Sequence, residues 1–181
     1  MDLSPSAYVI LGMLRDEPRC GYEIKAAVDN STRFFWAASY GQIYPELRKL
    51  SEAGLIKGRS DARGDRKRVE FKLTAAGREQ LRSWLRRPPE TFELRDEGLL
   101  KLFFSSAAEP ADAVATLRAM RDHHRALAEH LREIEPKAIA GGGGYPLIVL
   151  RGGIEYNEWQ ADWCERSERE VLEEAAEERS A

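Results

Sequence analysis

Within eleven residues the chain places Ser39, Tyr40, Gln42, Tyr44, Pro45, Arg48 and Lys49. Glutamine and arginine match the donor and acceptor edges of bases, while tyrosine hydroxyls, arginine and lysine suit phosphate oxygens. A second basic group follows in GRSDARGDRKR, which holds Arg59, Arg63, Arg66, Lys67 and Arg68. That density of cations suits phosphate or minor-groove contact. These residue types point to double-stranded nucleic acid and not to a reaction. The sequence has no GxxxxGK, no HExxH and no recognisable Ser/His/Asp set, so no catalytic residue is expected. Cys20 and Cys164 stand far apart, with no CxxC and no Cys/His ligand spacing. Reduced thiols, no metal and no cofactor are therefore expected.

The first group needs a helix to present it, and the sequence supplies one. Ser39 and Gln42 match a capping box. Ile43, Leu47, Leu50 and Gly54 line one side, leaving Gln42, Tyr44, Pro45, Arg48, Lys49 and Glu52 on the other. Gly54 then ends the helix. Pro45 lies inside it, and its ring must be accommodated by the carbonyl of Gly41, a residue that adjusts cheaply. A slight bend that aims residues 39–44 is one reading, and a tolerated irregularity near the helix start is the other.

Two helices precede this one. Ser4-Pro5 starts the first, with Ala7, Ile10, Leu11 and Leu14 on one stripe, and the second runs from about Gly21 through Tyr22, Ile24, Ala27 and Val28. After it come a short strand at 55–57, the basic loop, and the alternating strand VEFKL, which together make a two-stranded hairpin. Thr74 caps a fourth helix with Leu81, Trp84 and Leu85 inward, and RRPPE breaks it. Helix, helix, helix, strand, basic tip, strand is the order of a winged helix-turn-helix. The expectation is a mainly α protein, with such a domain over 1–87 and an all-helical domain over 88–181.

In the second half, LRDEGLLKLFF reads as a short apolar helix and residues 110–135 as a long one. Leu117, Met120, His124, Leu127, Leu131 and Ile134 step by three and four, the spacing of a coiled-coil seam. GGGG at 141–144 reads as a flexible break, and a last helix follows from Pro146 to an acidic end. Two such helices are expected to bury their stripes against a second copy, with Leu117, Met120, His124, Leu127, Leu131 and Ile154 in the dimer interface. His124 on the seam is either a sensor or a hydrogen-bonded core residue, while His123 and His130 face outward. Tyr156, Trp159 and Trp163 share a face of the last helix. With Trp84 they are candidates for a pocket that takes a flat aromatic effector; the alternative is an interface core.

Charge divides the same way. Residues 1–87 carry 17 Lys+Arg against 11 Asp+Glu, and the remainder 11 against 20, within a net charge of -3. A basic front and an acidic back fit an anion-binding module joined to something else. No apolar run approaches the ~20 residues a membrane span needs, and the N-terminus has no signal-peptide pattern, so a cytoplasmic protein is expected.

YVILGML, CGYEI, YGQIYPELRKLSEAGLI and KLTAAG resemble the PadR family of bacterial transcriptional regulators, and FELRDEGLLKLFF resembles the start of that family's C-terminal helical domain. The resemblance spans nearly the whole chain, and YGQIYPELRKLSEAGLI is its most specific block. It implies a homodimer that binds an operator of inverted half-sites, usually as a repressor. It also implies DNA contacts at Tyr40, Gln42, Tyr44 and Arg48, with Tyr22 either touching a phosphate or packing on the third helix. Some PadR-like proteins respond to phenolic acids or planar drugs. The family commonly has serine where Gln42 stands. A protein-docking winged helix and an activator without an effector are the competing readings; the basic wing and the Arg48/Lys49 pair favour nucleic acid.

Overall fold

The computed structural model describes residues 3–61, 68–90 and 95–178. The chain divides into two units, Met1–Phe92 and Glu93–Ala181.

The first unit orders its elements as α1 (Pro5–Met13), β1 (Arg19–Cys20), α2 (Gly21–Asp29), α3 (Tyr40–Glu52), β2 (Ile56–Asp61), β3 (Arg68–Leu73) and α4 (Ala75–Leu85). A 3-10 turn at Thr32–Phe34 lies between α2 and α3. The starts follow the sequence signals. The Ser4 Oγ accepts from the Ala7 N–H at 3.2 Å with Pro5 in the first turn, and the Thr74 Oγ1 accepts from Gly77 N at 3.0 Å. Thr74 also donates to the Gly54 carbonyl at 2.8 Å, so one hydroxyl ties α4 to the end of α3. That end is a Schellman motif: Leu55 N donates to Leu50 O and Gly54 N to Ser51 O, with Gly54 at φ 68. Ile10, Leu11, Ile24, Val28, Ile43, Leu47 and Leu50 are each at most 2% exposed and form one core with Leu55, Ile56, Leu73 and Leu81. The stripes read from sequence on α1, α2 and α3 supply this core, but on α4 only Leu81 turns inward as expected; Trp84 and Leu85 are exposed, at 39% and 67%, because the short helix packs on the core along one narrow edge.

The wing is three-stranded where a two-stranded hairpin was expected. Strand order is β1-β3-β2, all antiparallel, with Arg19 opposite Phe71 and Ile56 opposite Leu73. β1 is two residues long, too short to carry any alternation. β2 extends to Asp61, into what reads as basic loop. There Arg59 lies opposite Glu70 and Ser60 opposite Val69.

The second unit is wholly helical among its described residues: α5 (Glu97–Phe103), α6 (Pro110–Ala140) and α7 (Tyr145–Glu178), with a 3-10 turn at Ser105–Ala107. α6 and α7 form an antiparallel hairpin along their length. Its turn is a specific reversal and not a loose spacer. Gly143 N donates to Ala138 O and Gly142 N to Ile139 O, while Gly142, Gly143 and Gly144 take φ of 98, 64 and 69. Three successive left-handed residues explain why glycine stands there.

The hairpin also changes the reading of the seam. Leu117, Met120, His124 and Leu131 on α6, and Ile154 on α7, are all at most 9% exposed in the single chain, and Leu127 is half-buried. They are covered by α7, α6 and α5 of the same chain, so the stripe expected to need a second copy is filled internally. The spacing shows that these residues are buried but carries no information about which helix buries them. Arg118 pairs with Glu168 at 2.7 Å, Arg151 with Glu135 at 2.6 Å, and Arg125 and Arg132 with Glu165 and Glu158. Three acidic residues of α7, Glu158, Glu165 and Glu168, are thus matched by α6 arginines.

Candidate nucleic-acid interface

α3 is held from behind by Ile43, Leu47 and Leu50, which leaves Tyr40, Gln42, Tyr44, Pro45, Arg48 and Lys49 exposed on its outer face. The capping box forms as expected. Ser39 N donates to Gln42 Oε1 at 2.9 Å, and the Ser39 hydroxyl lies 3.3 Å from the same oxygen. The helix runs unbroken through Pro45. Lys49 pairs with Glu46 at 2.9 Å. Arg48 has no ion-pair partner among the described residues, so its guanidinium stands ready for an outside anion.

The tyrosines are organised by α2. Tyr40 and Tyr44 lie one turn apart with ring centroids 6.3 Å apart and planes 19° apart. The Lys25 ammonium sits 5.6 Å from the Tyr40 ring centroid while paired with Asp29. Gly21 at the start of α2 lies so close beneath Tyr44 that a Cβ there would meet its Cε1 at 2.8 Å and its hydroxyl at 3.1 Å. Tyr22 is 66% exposed, which fits an outward contact better than packing on α3. Sequence reasoning did not single out Gly21 or Lys25. Lys25 is three residues after Tyr22 on one helix face, a signal that was available; the approach of Gly21 to Tyr44 was not, since it joins two helices.

Of the wing cations, Arg63, Arg66 and Lys67 lie outside the described residues. Arg68 opens β3, and Arg59 is exposed on β2.

Of the proposed effector residues, Trp84 belongs to the first unit and Tyr156, Trp159 and Trp163 to the second. Trp84 stacks on buried Tyr8 in the first unit, with centroids 4.5 Å apart and planes 9° apart, and Gln80 donates to the Tyr8 hydroxyl at 3.1 Å. In the second unit Trp163 packs against Leu117, Met120 and Cys164. Tyr156 and Trp159 remain exposed on α7, and the Tyr156 hydroxyl accepts from Gln160 Nε2 at 2.7 Å. An open notch of about 240 Å³ between α6 and α7 is lined by Arg125, Glu129, Arg132, Glu158, Asp162 and two alanines, and includes none of the aromatics. His124 is a hydrogen-bonded core residue. Asn157 Nδ2 donates to Gly153 O at 2.7 Å, so Asn157 Oδ1 is left to accept from His124 Nδ1 at 2.7 Å.

Comparison with known proteins agrees with this geometry. Residues 10–83 match the model of the transcriptional regulator PadR-like family, and residues 94–171 match the virulence activator alpha C-terminal model. The chain is 29% identical over 168 residues to the negative transcriptional regulator PadR of Bacillus subtilis, covering 87% of this chain and 92% of that one. The structure of that protein in complex with operator DNA superposes with a TM-score of 0.86 at 27% identity, over 94% of this chain and 99% of the other. Its structure with p-coumaric acid gives 0.76 at 26% identity, over 94% and 98%. The Vibrio cholerae virulence activator AphA gives 0.72 at 27% identity, also over 94% and 98%. With the outer face of α3 set as described, residues 10–83 carry the match to the PadR-like family of transcriptional regulators, and the chain is similar to such regulators through both of its units.

Proposed function

We propose that the protein is a homodimeric repressor that binds an operator of two inverted half-sites and is released by a small aromatic effector. The observation that carries the DNA reading is the outer face of α3. Tyr40, Gln42, Tyr44, Arg48 and Lys49 stand exposed on a helix whose opposite face is sealed in the core. A protein-docking face would be apolar at its centre, and this one is polar and basic. The match to a negative regulator solved with operator DNA supports both the partner and the sign of control. Tyr156 and Trp159 are exposed on α7 and so open to a flat acid, and the p-coumaric acid complex of the same relative supports that class of ligand. Trp84 is committed to Tyr8 on one face. The C-terminal match to a virulence activator domain favours activation as the second reading of sign.

Fluorescence anisotropy tests the core of this. The full chain is titrated onto the DNA upstream of its own gene and onto an unrelated duplex, at two salt concentrations. The expected result is selective binding that weakens steeply with salt, since several phosphate contacts release several counterions. Arg48→Ala should weaken it about tenfold. A set of hydroxycinnamic acids is then added, and release by one of them supports repression relieved by an effector. Absence of selective binding to any duplex from a random pool would overturn the reading.

A further inference from the structure

Three helices of this chain begin with the same device, in which the side chain at the third helical position reaches back to the N–H of the capping residue. On α2 the pair is Cys20 and Glu23, with Cys20 N donating to Glu23 Oε2 at 2.9 Å. On α6 it is Glu109 and Asp112, at 3.3 Å. On α3 it is Ser39 and Gln42, at 2.9 Å. A carboxylate is the better group here, because its charge also favours the helix N-terminus. α3 alone among the three uses a neutral amide, and α3 is the helix with the exposed polar and basic face.

The choice of amide has a chemical consequence. A backbone N–H can only be accepted, so the atom facing Ser39 is the Gln42 oxygen and the outward atom is the nitrogen. That oxygen also lies 3.3 Å from the Ser39 hydroxyl. Gln42 is exposed and sits in the first turn, the part of a recognition helix that meets base edges. A free glutamine presents both an acceptor and a donor, the pattern that pairs bidentately with adenine. A glutamine whose oxygen is spent on its own helix presents two N–H donors and nothing else. Such a group is satisfied by acceptors: best by O6 and N7 of guanine, which stand side by side, or by O4 of thymine, whereas adenine offers N7 alone beside an amino donor that the group cannot accept. The two donors have no partner in the amino group of cytosine.

We propose that Gln42 is a donor-only reader, which selects guanine or thymine at one base pair of each half-site while its oxygen holds the start of α3. This rests on the DNA-binding reading above and extends it to a specific contact.

The experiment uses the full chain and operator variants carrying every single base change in one half-site. Binding is measured for the wild type, Gln42→Ala and Gln42→Glu, with thermal unfolding of each protein alongside. Gln42→Ala loses both the cap and the donors. It should lower the unfolding midpoint and flatten the base profile at one pair, which marks the pair that Gln42 reads. At that pair the wild type should favour guanine or thymine over cytosine by about tenfold. Gln42→Glu keeps the acceptor for Ser39 and loses the donors. It should unfold at or above the wild-type midpoint, lose the guanine or thymine preference, and shift toward cytosine, whose amino group a carboxylate can accept. Three results overturn the proposal: no pair flattened by Gln42→Ala, a wild-type preference for cytosine at the marked pair, or a wild-type profile kept by Gln42→Glu. A preference for adenine that disappears when its amino group is removed also overturns it, because that requires a free oxygen. If the wild type binds no duplex selectively, the regulator reading falls and the donor assignment falls with it; selective binding with any of the other four results removes the donor assignment alone.

Discussion

Gly21 lies where a single methyl group would act on a tyrosine of another helix. Its backbone is not in the left-handed region, so alanine meets no conformational penalty and restricts the unfolded chain, a gain of up to about 1 kcal/mol. The added Cβ would lie 2.8 Å from Tyr44 Cε1, and the ring, being the far end of a side chain, is what must move. Gly21→Ala is therefore expected to leave the unfolding midpoint unchanged or raised while weakening DNA binding several-fold, about as much as Tyr44→Phe if the hydroxyl holds a phosphate. A variant that loses stability and keeps affinity would show that Tyr44 is only packing. Cys164 shows burial acting on chemistry. It is 1% exposed, and desolvation, aided by the Asp96 charge, pushes its thiol up. The folded chain thus holds a proton that the unfolded chain releases in the ordinary thiol range, and stability falls as pH rises from that range toward the raised value of the folded thiol. Below the ordinary range the contribution is intact. Alkylation at mildly alkaline pH should reach half-buried Cys20 first and Cys164 only on unfolding, as peptide mapping would show. Cys164→Ala should soften the loss of stability between neutral pH and about pH 10.

At the scale of elements, what could be read from sequence was what is local. Caps at Ser4, Ser39 and Thr74 and the glycine stop at Gly54 each depend on residues within five positions, and all four form. β1 was hidden because two residues have no period, and the cover of the α6 stripe because periodicity marks a buried face without naming its partner. The glycine run was misread as loose because composition does not report φ. The candidate site followed the same rule. The α3 face was legible from its helical period; the seating of Tyr44 over Gly21 and of Lys25 on Tyr40 depends on helix packing. Pro45 tests the element directly. Restoring its N–H lets residue 45 donate to Gly41 O, so Pro45→Ala should stabilise the chain by about 1 kcal/mol. If proline shapes the presented turn, affinity for the operator falls at the same time; unchanged affinity would make Pro45 a tolerated irregularity. The hairpin has its own test in the His124–Asn157 pair, both at most 8% exposed. Asn157→Leu leaves the His124 N–H without its acceptor and should cost about 1–3 kcal/mol. Adding His124→Leu should recover part of that loss, because no polar group is then stranded, and urea unfolding of the four chains of the cycle measures the coupling.

For the whole molecule, internal closure of the α6–α7 stripe moves the question of self-association to other surfaces. The second unit still exposes Phe103 and Tyr145 at 80% and 85%, with Leu100, Ile148, Val149 and Trp159 each more than half open. A single soluble chain rarely leaves so many large apolar groups bare, and a two-fold partner is the commonest way to cover them. If they form the dimer contact, charges placed there should split the dimer while the seam residues, already buried within the chain, cannot do so without unfolding it. The double variant Phe103→Glu, Ile148→Glu is expected to sediment as a monomer with its helical content intact, whereas Leu117→Glu should lose helix and stability together. The consequence for the DNA is separate and larger. Two α3 helices presented about 34 Å apart meet one face of the duplex, and linking two weak half-site contacts multiplies affinity by about a hundredfold or more. The monomeric variant should therefore bind a full operator no better than an isolated half-site, while the wild type shows a steep difference between the two. Equal preference for full and half operators by a wild type that sediments as a dimer would mean that the two copies are joined in a geometry unrelated to DNA reading.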